Sequence, residues 1–321
     1  MFKNNILDVK GIKVGQVEDK KGLTGCTVII CEEGGTCGVD VRGSAPGTRE
    51  TDLLNPINLV DKAHAIVLSG GSAFGLESTC GVMKYLEERD IGFDVGVTKV
   101  PIVVGAVLFD LHVGDYKIRP DFNMGYKACE LASSEMLEQG NYGAGCGATV
   151  GKFKGIDYSM KGGIGSYSIY LDNGLVVGAI VAVNPFGDVY ENGKIIAGAL
   201  DDNRKGFINT CEAMKKGSDY RDFSIQNTTI GAIVTNAKLN KNECTKISQM
   251  AHDGYARAIS PIHTMFDGDT IFTLATGEVE ADINIVGTLA TEAMEKSIIN
   301  GVKNAQGICN IPSYKDILRF K

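Results

Sequence analysis

The sequence predicts a single layered domain of mixed helices and strands, α/β or α+β in class. Three observations carry this. Short apolar, partly β-branched runs alternate with stretches of helical period, the connections between them are short, and no internal repeat or Ser/Pro-rich linker divides residues 1–321. A chain of this length can bury a large core.

Taken in order, residues 27–31, 64–68 and 103–109 read as buried strands. Residues 74–89 read as a helix ended by Asp90-Ile91-Gly92. A second helix follows Pro120, with Asp121 as N-cap and Phe122, Tyr126, Cys129, Ala132 and Met136 along one face. Residues 149–152 read as strand. Residues 164–171 and 175–183 are strands flanking Asp172-Asn173-Gly174, a strong hairpin signal. A polar stretch with little periodicity, 215–227, stops abruptly at a strand over 228–235. Helices over 242–258 and 281–303 close the chain around a strand at 270–274.

Composition excludes several classes of protein. Glycine accounts for 41 of the 321 residues, about twice the usual share, yet there is no Gly-X-Y period and there are only seven prolines. The glycines therefore belong in tight turns and close backbone approaches. A net charge of −7 with no basic stripe argues against nucleic acid as a partner. The longest apolar run, 174–183, is too short to span a bilayer, so no membrane partner is expected. The N-terminal segment MFKNNILDVKG lacks an apolar signal core. Nine cysteines without a C-x-x-C pair read as reduced thiols, most of them in apolar patterns, in a cytoplasmic protein. Four scattered histidines show no ligand spacing, so no metal site is expected.

Two glycine-rich stretches invite functional readings. The stretch 143–148 (GAGCGA) does not leave a strand and open a helix, as a dinucleotide loop must. Residues 69–75 (SGGSAFG) follow a strand and precede a helix, but Phe74 breaks the glycine spacing of a nucleophile elbow. A structural turn with Ser72 near the helix start is the reading adopted, with ligand contact as the alternative.

The junction Gln226-Asn227-Thr228-Thr229-Ile230-Gly231 has two readings. It is a strand edge that contains threonines, or Thr228 becomes a new N-terminus by cleavage of the Asn227–Thr228 bond. In the second case the hydroxyl is a nucleophile and its own α-amino group is the base. That amine has a reference pKa of roughly 7.7–8.0, so it takes a proton near neutral pH without histidine. Downstream, Asp267-Gly268-Asp269 precedes a strand, and carboxylates two residues apart point the same way on extended chain. They suit a pair that holds the Thr228 amine and hydroxyl, or a solvated turn. Asn184 before Pro185 is either an oxyanion donor or a turn residue.

The ordered motifs GIKVGQV, TGCTVIIC and GVDVRGSAPGTRE near the N-terminus, then MKGGIGS (160–166), VNPFGD (183–188), NTTIGAIVTNA (227–237) and MFDGDTIF (265–272), carry a resemblance. Together they resemble the self-processing S58-type peptidases of the L-aminopeptidase/D-esterase kind, which include β-peptidyl aminopeptidases and the nylon-oligomer hydrolase. The resemblance runs from about residue 10 to 300. It implies a four-layer αββα sandwich similar in layout to N-terminal-nucleophile hydrolases, with different connectivity. It implies autocleavage before Thr228 into chains 1–227 and 228–321, with Asp267 and Asp269 flanking the nucleophile and Asn184 on the oxyanion side. Lys161 in MKGGIGS is the best match for the family's active-site lysine, with Lys154 nearby as the alternative. Phe109 stands where members often place a tyrosine.

The implied activity is hydrolysis of small peptide, amide or ester substrates, without a cofactor, by a homo-oligomer, a tetramer by resemblance. An acyltransferase using the same threonine, and an uncleaved ligand-binding relative, are the competing expectations.

Overall fold

The computed structural model describes residues 3–217 and 227–318. The polar stretch 215–227 lies largely outside the described residues, as do the first two residues of the N-terminal segment.

Nine strands form one sheet: β1 (Ile12–Asp19), β2 (Thr24–Val41), β3 (Thr48–Arg49), β4 (Lys62–Ser69), β5 (Val103–Val107), β6 (Gly163–Tyr170), β7 (Val176–Val183), β8 (Ile230–Ala237) and β9 (Thr270–Val279). Their order is β6-β7-β8-β9-β2-β4-β5-β3, with β1 paired to β2. The pairs β8–β9 and β4–β5 are parallel and the rest antiparallel.

The 18-residue β2 links the two halves of the sheet. Its first part, 24–31, pairs with β1, its last part, 36–41, pairs with β9, and the ladder to β4 is irregular between Ile30 and Gly35. Because side chains alternate along a strand, each half of the sheet has an inner and an outer face. Ile29, Ile66 and Val104 from one half and Ile180, Ala232 and Phe272 from the other fill one common core. On the outside of the first half, Val28, Ala65 and Val67 pack against α1 (Ser78–Glu87) and α2 (Phe122–Glu130). On the outside of the second, Val177, Ile233 and Ile271 pack against α3 (Lys241–Ala258) and α4 (Ile283–Asn304). Three apolar cores separate four layers: helices, half-sheet, half-sheet, helices. This is the αββα arrangement that the resemblance implied, here made from one sheet folded onto itself.

The hairpin at 172–174 joins β6 to β7 in antiparallel register, Tyr170 opposite Val176. Asp121 caps α2, its carboxylate accepting from the Met124 amide at 2.9 Å. Several expected boundaries move. The helix expected at 74 starts as a 3-10 turn, Ser72–Glu77, and turns α-helical at Ser78. The helix after Pro120 stops at Glu130, because Ser133 leaves it to exchange two main-chain hydrogen bonds with Val14 at the edge of β1. Met136, expected along one face of this helix, consequently falls beyond it and is exposed, and Phe122, its first residue, is exposed as well. The strand at 149–152 is cut to Thr149–Val150 by Gly151, whose φ of +73° is glycine's left-handed region. Of the nine cysteines, all free, six are buried, Cys80 and Cys211 are half-buried and Cys309 is exposed. No helix of the described residues is long and apolar enough to cross a membrane.

Candidate active site

Parallel pairing of β8 with β9 sets Ile230 beside Thr270. It therefore lays the two threonines that precede β8 against the Asp267–Asp269 segment that precedes β9. A main-chain bridge joins Asn227 to Asp267, and the Thr270 amide donates to the Thr229 carbonyl at 3.2 Å. Thr228 is 4% exposed. Its hydroxyl hydrogen-bonds the carbonyl oxygen of Asn227, that is, of the peptide bond its own nitrogen completes. The Gly268 amide donates to the same oxygen at 3.0 Å. Gly268 is confined to glycine by contact: a Cβ there would stand 2.8 Å from Thr228 Oγ1 and 2.5 Å from the Ala45 carbonyl oxygen.

The two aspartates are both fully buried. Asp269 Oδ1 accepts from the Thr229 amide at 2.8 Å, and Oδ2 accepts from the His263 amide at 3.2 Å and pairs with His263 Nδ1 at 2.9 Å. Asp267 Oδ2 accepts from the Thr264 amide and hydroxyl at 2.9 and 2.6 Å, and Oδ1 from the Phe186 amide at 3.3 Å. Burial, with the neighbouring Asp269 charge second, pushes the Asp267 pKa up to about 6. Both carboxylates thus lie beside the threonine pair, but their hydrogen bonds run to Thr229, His263, Thr264 and Phe186.

Asn184 touches the site through its main chain. Its carbonyl oxygen accepts from the Thr228 amide at 3.0 Å. Its side-chain amide donates to the Phe109 carbonyl at 3.0 Å, and its Oδ1 accepts from the Thr149 amide at 2.9 Å.

The two lysines expected at the site lie elsewhere in the hydrogen-bond network. Lys161 is fully buried, but its ammonium donates to the carbonyls of Gly145, Ala148 and Gly162 at 2.9, 2.7 and 3.1 Å. It pins the glycine-rich 143–148 turn to its neighbouring strand, and burial pulls its pKa down to about 8. Lys154 pairs with Asp202 at the surface. A third lysine, Lys152, donates its Nζ to the carbonyls of Thr149, Asn184 and Pro185 at 2.8, 2.9 and 3.1 Å, and so shares the Asn184 acceptor with the Thr228 amide. Burial pulls it down to about 7, against the upward pull of Asp267 and Asp269. The turn at Gly151 redirects the chain just before Lys152, and that glycine was the one signal for it in the sequence.

Thr228 opens onto a pocket of about 250 Å³ lined by residues 45–47, 72–73 and 107–109. Ser72, with φ +55°, stands on its wall in a turn fixed by Asp110, whose carboxylate accepts from the Gly71 amide at 2.7 Å. Phe109 also lines this pocket, its ring 4.9 Å from that of His112, and presents no hydroxyl where a tyrosine would.

A family model described as peptidase family S58 matches residues 4–311. An uncharacterized aminopeptidase of Mycobacterium leprae (strain TN) is 38% identical over 344 aligned residues, which cover 97% of this chain and 93% of that protein. A 6-aminohexanoate-oligomer endohydrolase of Kocuria sp. (strain KY2) is 30% identical over 320 aligned residues, covering 92% of this chain and 85% of that one. Among solved structures, the L-aminopeptidase D-Ala-esterase/amidase of Ochrobactrum anthropi, described as a new variant among the Ntn hydrolase fold, matches with a TM-score of 0.73. That match covers 98% of this chain and 93% of the other at 16% identity, and is a likeness of fold. Matched by one family model nearly from end to end, the chain belongs to peptidase family S58.

Proposed function

We propose that this hydrolase cuts itself between Asn227 and Thr228, and that the freed Thr228 then hydrolyses small peptide, amide or ester substrates through an acyl-enzyme. One observation carries the reading: the Thr228 hydroxyl and the Gly268 amide converge on the carbonyl oxygen of Asn227. A nucleophile and an oxyanion donor thus flank one peptide bond at a buried strand entrance.

In the first stage Thr228 Oγ bonds to the Asn227 carbonyl carbon and gives up its proton. Negative charge develops on the carbonyl oxygen, where the Gly268 amide meets it; one such donor is worth on the order of 10²–10³ in rate. The C–N bond then breaks and the nitrogen takes a proton, leaving an ester on Oγ that water hydrolyses. Lys152, close to neutral in pKa and sharing the Asn184 carbonyl with the Thr228 nitrogen, suits the proton transfer. In the second stage the new α-amine serves as base and the hydroxyl attacks substrate. Asp267 and Asp269 orient the segment that carries both groups. The reduced thiols fit a cytoplasmic setting, and the family resemblance favours a homo-oligomer, with a tetramer as the expected form.

Intact-mass spectrometry of the purified protein tests the reading. The expected masses are those of 1–227 and 228–321, and of full-length chain alone for Thr228→Ala, which should also be inactive on aminoacyl p-nitroanilides. Two fragments from the Thr228→Ala protein would remove Thr228 as the nucleophile.

A further inference from the structure

His263 lies outside every motif that pointed to the site, in the loop between α3 and β9, at a φ of +58° that few non-glycine residues adopt. Left-handed backbone at such a residue persists where its surroundings hold it. Here both its main-chain amide and its ring nitrogen Nδ1 converge on one oxygen, Asp269 Oδ2. The other Asp269 oxygen takes the Thr229 amide, one residue from the nucleophile. An ionised carboxylate only accepts, so the ring must present Nδ1–H to it. That fixes the tautomer, and it leaves Nε2 without a proton in the neutral ring. The environment agrees: His263 Nε2 is buried and has no hydrogen-bond partner.

The groups packed around the ring supply no competing charge at contact. From α3, the His252 ring stands edge-on at 4.8 Å and the Tyr255 ring at 6.2 Å. His252 donates Nε2–H to the Asp40 carbonyl at 3.1 Å, and burial lowers its pKa to about 3, so it is neutral. Burial also keeps Tyr255 protonated. At the end of β2, Asp40 is paired with Arg42 and lies beyond His252. Within the same loop, Asp267 is turned to Thr264.

We propose that His263 is a positioning residue for the Thr228 reaction, its Nδ1–H holding the Asp269 carboxylate aimed at the Thr228–Thr229 entrance to β8. The proposal rests on the assignment of Thr228 as nucleophile for its kinetic consequences, and on the hydrogen bond alone for its spectroscopic one. Without that donor the carboxylate is free to turn from the Thr229 amide, and a small misplacement of such a group can cost on the order of 10²-fold in rate. His263→Leu should therefore lower kcat for aminoacyl p-nitroanilide hydrolysis by about that factor with little change in KM, and slow fragment formation in parallel. His263→Asn tolerates the left-handed backbone and offers an amide N–H in place of Nδ1–H. It should recover most of the lost kcat.

An unchanged kcat in a folded His263→Leu, or an Asn variant no better than Leu, would overturn the proposal in favour of a purely structural role. The second measurement needs neither turnover nor a folded Leu variant. In ¹⁵N-histidine-labelled wild type, with only four histidines to assign, His263 should show the Nδ1–H tautomer with bare Nε2 at pH 8. An Nε2–H tautomer would sink the idea. A wild type that neither splits nor hydrolyses would remove the Thr228 reading while leaving the tautomer result to decide this one.

Discussion

Lys152 and Thr228 meet on one oxygen: the Lys152 ammonium and the Thr228 amide both donate to the Asn184 carbonyl, at 2.9 and 3.0 Å. The lysine is therefore tied to the backbone of the bond proposed to break, and its protonation state bears on both chemistry and stability.

Burial takes Lys152 to about 7 and Lys161 to about 8, from an ordinary 10.5. Between those values and about 10.5, each of these two lysines binds more protons in the unfolded chain than in the folded one. Each therefore contributes stability that rises with pH across this window, while the buried thiols, pushed above their ordinary 9.0 by burial, contribute in the opposite sense once pH passes about 9. The share of Lys152 is read by difference: the wild-type urea midpoint should gain on that of Lys152→Met as pH rises from 7 to 10. A difference between the two that stays constant over this range contradicts the assignment.

Gly268→Ala should stop or strongly slow self-cleavage, because the new methyl group would meet Thr228 Oγ1 at 2.8 Å and the Ala45 carbonyl at 2.5 Å. Displacing the Gly268 amide from the Asn227 carbonyl removes an oxyanion donor, with an expected loss on the order of 10²-fold or more. Timed intact-mass measurements on the variant read this directly; fragments at the wild-type rate would refute it.

Asp267, at about 6 against an ordinary 3.8, binds its proton more tightly when folded. Its protonated form adds stability that is fully present below about 4 and lost as pH rises through about 6. Activity should show an acid limb near pH 6. Asp267→Asn, which mimics the protonated acid in shape, should lower activity above that limb and remove most of its pH dependence.

Lys161→Met should behave as a folding defect. It leaves the carbonyls of Gly145, Ala148 and Gly162 without their shared donor. Gly145 and Ala148 keep main-chain donors, from the Ala148 and Gly162 amides, but among the described residues the Gly162 carbonyl is left to the ammonium alone. An orphaned buried polar group costs about 1–3 kcal/mol, so a loss of that order is expected by urea denaturation. Once folded at low temperature, the variant should retain much of its activity, whereas Lys152→Met should not.

Much of this architecture was legible locally and little of it globally. The Asp172-Asn173-Gly174 turn and the Asp121 cap are decided by neighbours in sequence, and both occur as read. The end of α2 is decided by Val14, more than a hundred residues away, and so is not marked in its own sequence. The second hairpin, Asp188–Glu191 with Lys194–Ala197, carries Asn192-Gly193 at its turn, a signal as local as the first. The folding of the sheet onto itself depends on β2 changing partners midway, which no period in its own sequence reports. At the site, Thr228, Asp267 and Asp269 were marked by an abrupt strand start and an Asp-Gly-Asp spacing. Lys152 was hidden because its stretch reads as strand, and His263 because nothing in sequence ties it to Asp269.

The ladder order has a consequence for the protein's life history. The strands β8 and β9 lie side by side, and on their flanks are β7 and β2. A cut at 227/228 would put the inner pair on one polypeptide and both flanking strands on the other. Before the cut, the domain assembles by a first-order process within one molecule. Afterwards, recovery from full unfolding would require two chains to find one another. The midpoint of thermal unfolding would then depend on protein concentration, and refolding would slow on dilution. Such a protein matures once, and dilute solution would favour its two pieces staying apart after denaturation.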